Sequence, residues 1–241
     1  MTEFVTDEGV SVPPVTTEQM REVDRIAIEN QAPNLFQMME NAGRTLAQTA
    51  IEHLGAEWRE RPIVVCAGSG GNGGGGICAA RHLANHGGDV TLILPVLDGM
   101  TPVAEQQLQV FRKTSGRIGA AESAEAELIL DALIGYGLKG APGGANQDAI
   151  RWMAGDDAPV ISLDMPSGLD STTGEAPGDA IEATATLTLA LPKTGLSSPL
   201  AGELFLADIG IPSQVLAMAG IRLDRPIFKG QHRIHLNRGT V

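Results

Sequence analysis

Apolar and polar positions at helical spacing dominate the first sixty residues. In VTTEQMREVDRIAIEN, Thr16 is followed three residues later by Gln19, the spacing of a capping box, which predicts a helix start. A second helix is predicted from about Asn34, with Gly55 as its C-terminal stop. The apolar positions of this second helix are Leu35, Met38, Met39, Ala42, Leu46, Ala50 and Leu54.

From residue 62 onwards the pattern changes to short apolar runs separated by helix-length segments. The runs are PIVVCA, DVTLILP, ELILDALIG and PVISLDM. Because they are continuously apolar rather than alternating, they are typical of strands covered on both faces, and the lengths between them suit helical crossovers. This pattern predicts an α/β fold with an open, mostly parallel sheet and helices on both faces.

Two further runs follow, at 183–192 (ATATLTLALP) and 202–212 (GELFLADIGIP). The turn-rich segment between them is too short for a helical crossover, so we expect them to pair antiparallel or to extend one edge of the sheet. The polar residues 1–14 are predicted to form an N-terminal surface arm, and the polar residues 222–241 a solvated tail. The whole chain, 1–241, has the length of one domain.

Composition and charge exclude several classes of partner. The formal net charge is −12, so the summed field repels nucleic acids and anionic membrane surfaces. No secretory leader pattern and no apolar run long enough for a membrane span is found, which predicts a cytoplasmic protein. Cys66 and Cys78 are expected to be buried as small hydrophobic residues rather than bonded to each other.

The stretch GSGGNGGGG, residues 68–76, has almost no side chains and follows a predicted strand. Such a backbone can bring consecutive N–H groups against an anion, and a helix starting at about Gly76 would add its positive end, so pyrophosphate is the expected guest. The spacing also matches a dinucleotide fingerprint, but Leu94 and Pro95 stand where its acidic residue is expected. Ile77 excludes a Walker loop, and a purely structural turn stays open.

Polar residues follow the other predicted strands. Asp131 ends the third run, and Asp164 and Ser167 follow the fourth, while Lys139 lies in a glycine-rich loop after the third. Since ligands of open α/β sheets collect at the carboxyl ends of the strands, we expect these residues to meet Asn72 in one crevice. A cation would offset the two carboxylates, and oxygen ligands without a Cys/His cluster favour a hard ion over a transition metal. Helix caps or turns are the alternative roles.

Taken together, these blocks resemble the NAD(P)H-hydrate epimerase family, also called the YjeF N-terminal domain family. The similar blocks run through nearly the whole chain: TTEQMREVD, MMENAGRTLA, CAGSGGNGGGGICAARHL, LILDALIGYGLKG, SLDMPSGLDSTTGE, LALPKTGL and GELFLADIGIP. The resemblance implies a three-layer αβα Rossmann-like fold, often a homodimer. It also implies an isomerase that interconverts the R and S forms of hydrated NADH and NADPH and holds one potassium ion per subunit.

Individual roles follow from the resemblance. It implies that Asn72, Asp131 and Ser167 hold the potassium ion, and that Asp164 contacts the ligand. We take Asp164 as the candidate acid/base and Lys139 as a group for binding or charge stabilisation. The sugar and phosphate part of the ligand is assigned to two loops, made of Gly71, Asn72, Gly73, Gly74 and Gly75, and of Gly135, Tyr136, Gly137, Leu138, Lys139, Gly140 and Ala141.

The glycine loop departs from the family pattern at three positions. The family reads G-P-G-N-N-G-G-D-G, whereas this chain has Ser69, Gly71 and Gly75 where proline, the first asparagine and the aspartate stand. A catalytically degenerate nucleotide-binding or regulatory module of the same fold is therefore the alternative. The segment RPIFKGQH resembles the junction to a dehydratase domain in fused relatives, so a separate dehydratase is the expected pathway partner.

Overall fold

The computed structural model describes residues 3–30 and 33–239, which form ten strands and six helices. The strands are β1 Glu3–Thr6, β2 Ser11–Val12, β3 Ile63–Ala67, β4 Val90–Ile93, β5 Arg117–Gly119, β6 Leu128–Ala132, β7 Val160–Leu163, β8 Ala185–Leu189, β9 Glu203–Ala207 and β10 Arg233–Gly239. The helices are α1 Thr17–Glu29, α2 Leu35–Leu54, α3 Gly71–Asn85, α4 Pro102–Phe111, α5 Gly144–Ala154 and α6 Ser213–Met218. Within these described ranges, no helix combines the length and the apolarity that a bilayer span requires.

Both N-terminal helices begin where their capping residues predict. The Thr16 hydroxyl accepts the N–H of Gln19, whose side chain accepts the N–H of Thr16 in return. Asn34 and Gln37 make the same reciprocal pair at the start of α2, and Gly55 ends that helix with a φ of +78°. These capping side chains accept backbone N–H groups that the first turn of a helix otherwise leaves without partners.

All ten strands belong to one sheet in the order β2-β1-β10-β9-β8-β7-β6-β3-β4-β5. The pairs from β9 through β5 are parallel, which confirms the predicted mostly parallel sheet. After β3 the chain runs to β4 on one side and then returns to β6 on the other. The gap between the ends of β3 and β6 is therefore a topological switch point, where open α/β sheets form crevices.

Both faces of the central strands are buried. In β3, Ile63 and Val65 belong to the larger core beneath α1 to α4, whereas Val64 and Cys66 face a second core. That second core includes Ile150 and Met153 of α5, which lie on the opposite face of the sheet. Helices thus cover both faces, as expected for the αβα arrangement.

The two late apolar runs form β8 and β9, which pair parallel and not antiparallel. β8 and β9 are parallel neighbours, with Ala185 opposite Glu203 and Leu189 opposite Ala207. The segment between them contains two short 3-10 turns, Thr194–Ser197 and Pro199–Ala201, rather than an α-helix. The antiparallel alternative is therefore wrong. Although it has no α-helix, the connection is long enough to carry the chain from the end of β8 back to the edge of the sheet where β8 begins, so that β9 runs in the same direction.

The two termini form strands rather than the predicted surface arm and solvated tail. β10 lies between β1 and β9 and is antiparallel to both. Ile234 and Leu236 of β10 are buried, as are Phe4 and Val12 of the N-terminal segment. In both segments the apolar residues alternate with polar ones, as in a strand with one buried face. The polar residues outnumber them, so composition alone predicted exposed segments. Residues 1–2 and 240–241 of the predicted arm and tail lie outside the described residues.

Candidate active site

The glycine run is mainly the first turns of a helix. α3 begins at Gly71, so the predicted start at about Gly76 is wrong. A Cβ at Gly73 would lie 1.7 Å from the carbonyl oxygen of Gly68, and one at Gly76 would lie 2.4 Å from the Cβ of Ala132. Glycine is a poor helix former, but here tertiary packing leaves no room for a side chain and outweighs the propensity.

The N-terminus of α3 remains available for a ligand. Gly70 is its N-cap, and no side chain accepts its first N–H groups. Those amides have no partner inside a helix, and the helix dipole adds a partial positive charge. Of the predicted loop residues, Gly71, Asn72 and Gly75 line a cavity at this point, whereas Gly73 and Gly74 pack against neighbouring elements.

The cavity has a volume of about 530 Å³ and lies over the switch point of the sheet. Its wall is largely apolar, with a few polar groups, which is typical of small-molecule sites. The polar and charged side chains among its described lining are Arg21, Asp24, Asn72, Thr101, Tyr136, Asp164 and Lys193. Gly135 and Gly137 of the predicted ligand loop also line it, together with Met38 and Met39 of α2.

Asp164 forms a buried ion pair with Lys193 at the floor of the cavity. The Lys193 ammonium donates to Asp164 Oδ1 and, at 2.9 Å, to the carbonyl oxygen of Leu189. The side chain of Lys193 is 1% exposed and that of Asp164 is 5% exposed. The N–H of Tyr136 donates to Asp164 Oδ2 at 2.9 Å. Asp164 has a φ of +68°, a strained conformation for an aspartate, and such strain clusters at functional sites.

Lys139 does not occupy the place that the sequence predicts for it. It is exposed and does not line the cavity, and Leu138, Gly140 and Ala141 are likewise not part of the described lining. The buried lysine is Lys193, which the sequence reasoning missed. The sequence does place Lys193 directly after the apolar run 183–192, at the end of a predicted strand. Because the pairing of that run was left open, Lys193 could not be placed beside Asp164.

Asp131 is fully buried at the end of β6, and neutral groups satisfy its carboxylate. Oδ1 accepts the hydroxyl of Ser167 at 2.5 Å and the N–H of Leu133 at 3.2 Å. Oδ2 accepts the N–H of Ser167 and the hydroxyl of Ser162, both at 2.8 Å. Burial raises the pKa of Asp131, and these hydrogen bonds oppose that rise. The predicted neighbours Asp131 and Ser167 are therefore in direct contact.

Asn72 approaches the same loop from the other side. The Ser167 hydroxyl accepts the N–H of Ile134 at 2.9 Å, and a Cβ on the next residue, Gly135, would lie 3.1 Å from Asn72 Oδ1 and 2.9 Å from Asp164 Oδ2. The Asn72 Nδ2 atom is buried without a partner among the described residues. Since the amide oxygen and nitrogen are interchangeable assignments, either can face this point. Amide, hydroxyl and carboxylate oxygens suit a hard cation.

A second polar cluster lies outside the cavity, where the sequence predicted no Cys/His group. Glu40, Cys78 and His82 have ligand atoms within 4.8 Å of one another. The Nη2 atom of Arg81 lies 2.6 Å from Glu40 Oε2 and 3.3 Å from both Cys78 Sγ and His82 Nε2. The guanidinium of Arg81 therefore lies between the three side chains. Burial raises the pKa of the Cys78 thiol to about 12. Both cysteines are free and buried, as predicted.

The family model described as YjeF-related protein N-terminus matches residues 35–195, which include all the cavity residues except those of α1 and Ile209. This chain belongs to the YjeF-related N-terminal family. A protein of Dehalogenimonas lykanthroporepellens named NAD(P)H-hydrate epimerase is 46% identical over 236 residues, which is 97% of this chain and 96% of that protein.

Two other relatives are longer. One from Moorella thermoacetica, named bifunctional NAD(P)H-hydrate repair enzyme, is 33% identical over 84% of this chain, and the chain spans only 41% of its length. In Hyperthermus butylicus, a relative of the same name is 37% identical, and the chain spans 36% of it. The crystal structure of yeast ynu0 has a TM-score of 0.79 at 21% identity, over 93% of this chain and all of that one, so the two share the fold.

Proposed function

We propose that this protein is an NAD(P)H-hydrate epimerase, an isomerase that interconverts the R and S forms of hydrated NADH and NADPH. The support is the 46% identity to a protein of that name over nearly the full length of both chains. The single observation in the structure that supports it best is the buried Asp164–Lys193 pair, which lies in a cavity beside the uncapped N-terminus of α3.

The cavity offers separate places for the two ends of such a nucleotide. The N–H groups at the start of α3, at Gly71 and Asn72, suit the diphosphate, because a helix N-terminus binds anions without a side chain. The exposed guanidinium of Arg21 lies on the α1 side of the same cavity. The hydrated ring then lies toward Asp164, where Leu163 and Leu189 form an apolar wall.

The reaction inverts one carbon that bears a hydroxyl next to a ring nitrogen. We propose that the carbon–oxygen bond breaks as the hydroxyl takes a proton and leaves as water, while the nitrogen lone pair forms an iminium. Water then adds to the opposite face, and its proton goes to the protein. The buried Asp164–Lys193 pair holds one exchangeable proton, which Asp164 passes to the leaving hydroxyl and takes back from the incoming water. Lys193 holds Asp164 in place and keeps its charge balanced in a buried position.

A monovalent cation, potassium in our proposal, would be held by Asn72, Asp131 and Ser167. Their oxygens suit a hard ion, and the Asn72 amide, whose nitrogen has no partner among the described residues, is free to turn its oxygen toward one. Bound there, the ion supplies a positive charge beside the ligand that offsets Asp131 and the diphosphate. The chain's own part is to keep Ser167 oriented, which the N–H of Ile134 does at 2.9 Å.

One observation favours the alternative, a nucleotide-binding module without turnover. A Cβ at Gly75, where the family pattern has aspartate, would lie 2.8 Å from Leu163 Cδ2. The end of an apolar side chain thus lies next to this position, and no carboxylate faces the cavity from it. Under this alternative the protein binds the nucleotide, but both epimers persist unchanged.

The homodimer, the separate dehydratase and the cytoplasmic location stay predictions. The bifunctional relatives are more than twice as long as the region they share with this chain, since that region is 41% of one and 36% of another. We propose that the extra length of those relatives supplies the dehydratase step, and that a dehydratase is the pathway partner of this protein.

Incubation with one purified epimer of hydrated NADH tests the function. Chromatography follows the second epimer over time, in potassium and in sodium at equal ionic strength, against a blank without protein. The proposal predicts conversion above the blank, faster in potassium. Binding without conversion, measured by calorimetry on the same sample, supports the non-catalytic alternative instead.

A further inference from the structure

A second carboxylate faces the cavity from helix α1. Asp24 is half-buried, and its Oδ2 accepts the hydroxyl of Tyr136. It lies outside residues 35–195 that the family model matches, and the sequence reasoning gave it no role. Its helix is firmly packed, since Met20, Val23 and Ala27 are buried in the core. Asp24 is therefore a fixed acceptor on a rigid element.

Tyr136 connects this carboxylate to the Asp164–Lys193 pair. Its hydroxyl donates to Asp24, its N–H donates to Asp164 Oδ2 at 2.9 Å, and the Lys193 Nζ lies 5.7 Å from the centre of its ring. The carbonyl oxygen of Tyr136 accepts the Ser171 hydroxyl at 3.0 Å. One residue thus contacts both cavity carboxylates and forms the wall between them.

Both partners are held in a desolvated place. Burial raises the pKa of Asp24, against the opposing effect of the Tyr136 hydrogen bond. Burial also raises the pKa of Tyr136, and the negative charge of Asp24 adds to that rise. A hydrogen bond to a carboxylate is stronger than one between neutral groups, so this contact is well suited to fix the ring.

We propose that Asp24 is a positioning residue for the epimerisation: it holds the Tyr136 ring against the Asp164–Lys193 pair and so fixes the cavity wall beside the reacting ring of the nucleotide. The inference rests on the proposed function. Asp24 acts through Tyr136 and not on the ligand, so its loss reduces kcat more than it changes KM.

Four variants test this role through turnover. Asp24→Ala removes the acceptor, Asp24→Asn keeps an acceptor oxygen without the charge, and Tyr136→Phe keeps the ring without the hydroxyl. We expect kcat/KM to fall about tenfold or more in Asp24→Ala and Tyr136→Phe, because each variant loses a hydrogen bond to a charged group. The fall should be smaller in Asp24→Asn. The double variant Asp24→Ala/Tyr136→Phe should be no worse than either single one. The matched control is Glu18→Gln, which changes an exposed carboxylate on the same helix.

The chain has a single tyrosine, so its spectroscopic titration reports on Tyr136 alone. Phenolate absorbance in the near ultraviolet is followed as the pH rises, with circular dichroism as the check that each variant is folded. The charged groups near the phenol are Asp24, Asp164, Arg21 and Lys193. We expect the ionisation midpoint to lie lower in Asp24→Asn than in the wild type, and to be unchanged in Glu18→Gln.

The outcomes separate the two proposals. A lower tyrosine midpoint together with the non-additive loss of turnover supports the positioning role. An active wild type whose tyrosine titration is the same in Asp24→Asn overturns the role of Asp24 alone, as does a double variant whose losses multiply. A wild type that does not epimerise the substrate overturns the proposed function, and with it the role of Asp24 in that reaction.

Discussion

Two aspartates end neighbouring strands of the same sheet, and their surroundings differ. Asp131, the penultimate residue of β6, is fully buried and accepts hydrogen bonds from two hydroxyls and two N–H groups, with no basic partner among the described residues. Asp164 after β7 is 5% exposed and is paired with Lys193. Neutral donors can orient a carboxylate but cannot balance its charge, whereas a buried ammonium does both.

This difference assigns the two residues different tasks. Asp164 lines the cavity with its cation already in place, so in our proposal it handles the proton of the reaction. Asp131 is not part of the described lining and needs a positive charge from elsewhere, which is why we propose the cation near it.

The largest effect is expected from Asp164→Asn. The amide keeps the size of the side chain but cannot exchange the proton, so turnover of a single epimer should fall about 10²–10⁴-fold. Steady-state kinetics on both epimers measures this, with circular dichroism as the folding check. A variant within threefold of the wild type would show that Asp164 is not the acid/base.

Lys193→Met tests the ion pair itself. It leaves the Asp164 carboxylate buried without its partner, so the free energy of unfolding should fall by about 3–5 kcal/mol. Urea denaturation measures the change. The double variant Asp164→Asn/Lys193→Met removes both charges and should recover part of the loss. If the double variant is as unstable as the sum of the single ones, the two residues are not coupled.

Potassium tests the environment of Asp131. If the ion binds only the folded protein, a concentration 100 times its dissociation constant stabilises the fold by about 2.7 kcal/mol. Thermal unfolding in potassium and in sodium chloride at equal ionic strength measures this, and the difference should vanish in Asp131→Asn. Equal melting temperatures in the two salts for the wild type would contradict the proposed site.

The smallest effect is expected from Glu40, a carboxylate paired with a cation outside the cavity. Partial burial opposes ionisation, but hydrogen bonds from Arg81 and His82 prevail and lower the pKa of Glu40 from 4.5 to about 2. A depressed pKa contributes stability above pH 4.5 that is lost as the pH falls toward 2. Because Glu40 is 44% exposed, we expect less than about 1 kcal/mol.

Denaturation of the wild type and of Glu40→Gln at both ends of that pH range measures the effect. The two proteins should converge as the pH falls, while turnover of the epimers at neutral pH stays the same. A Glu40→Gln variant with reduced turnover would show that this cluster contributes to the reaction although it lies outside the cavity.

Much of the fold could be predicted because local signals agree with the tertiary structure. Thr16 and Asn34 start their helices through side chains that are read directly from the sequence. The four apolar runs became β3, β4, β6 and β7, because strands covered on both faces are apolar at nearly every position. Asp131 and Ser167 could be placed together because the carboxyl ends of parallel strands meet at one edge.

The remainder depends on contacts that no local pattern encodes. The glycine run fits here because α2 and the sheet approach it closely: a Cβ at Gly74 would lie 2.6 Å from Met39 Sδ, and one at Gly76 would lie 2.4 Å from the Cβ of Ala132. Lys193 reaches Asp164 because β8 lies beside β7, a pairing that the sequence left open. β10 is a strand because β1 and β9 border it, although its own residues are mostly polar.

The most direct test of the account is epimerisation in water labelled with heavy oxygen. A single epimer of hydrated NADH is incubated with the wild type and with Asp164→Asn, and mass spectrometry of the product epimer follows the label against a blank without protein. The account predicts that each inverted molecule gains its hydroxyl oxygen from solvent, and that the variant loses most of this conversion. Inversion without uptake of the label, or equal uptake by the variant, would contradict it.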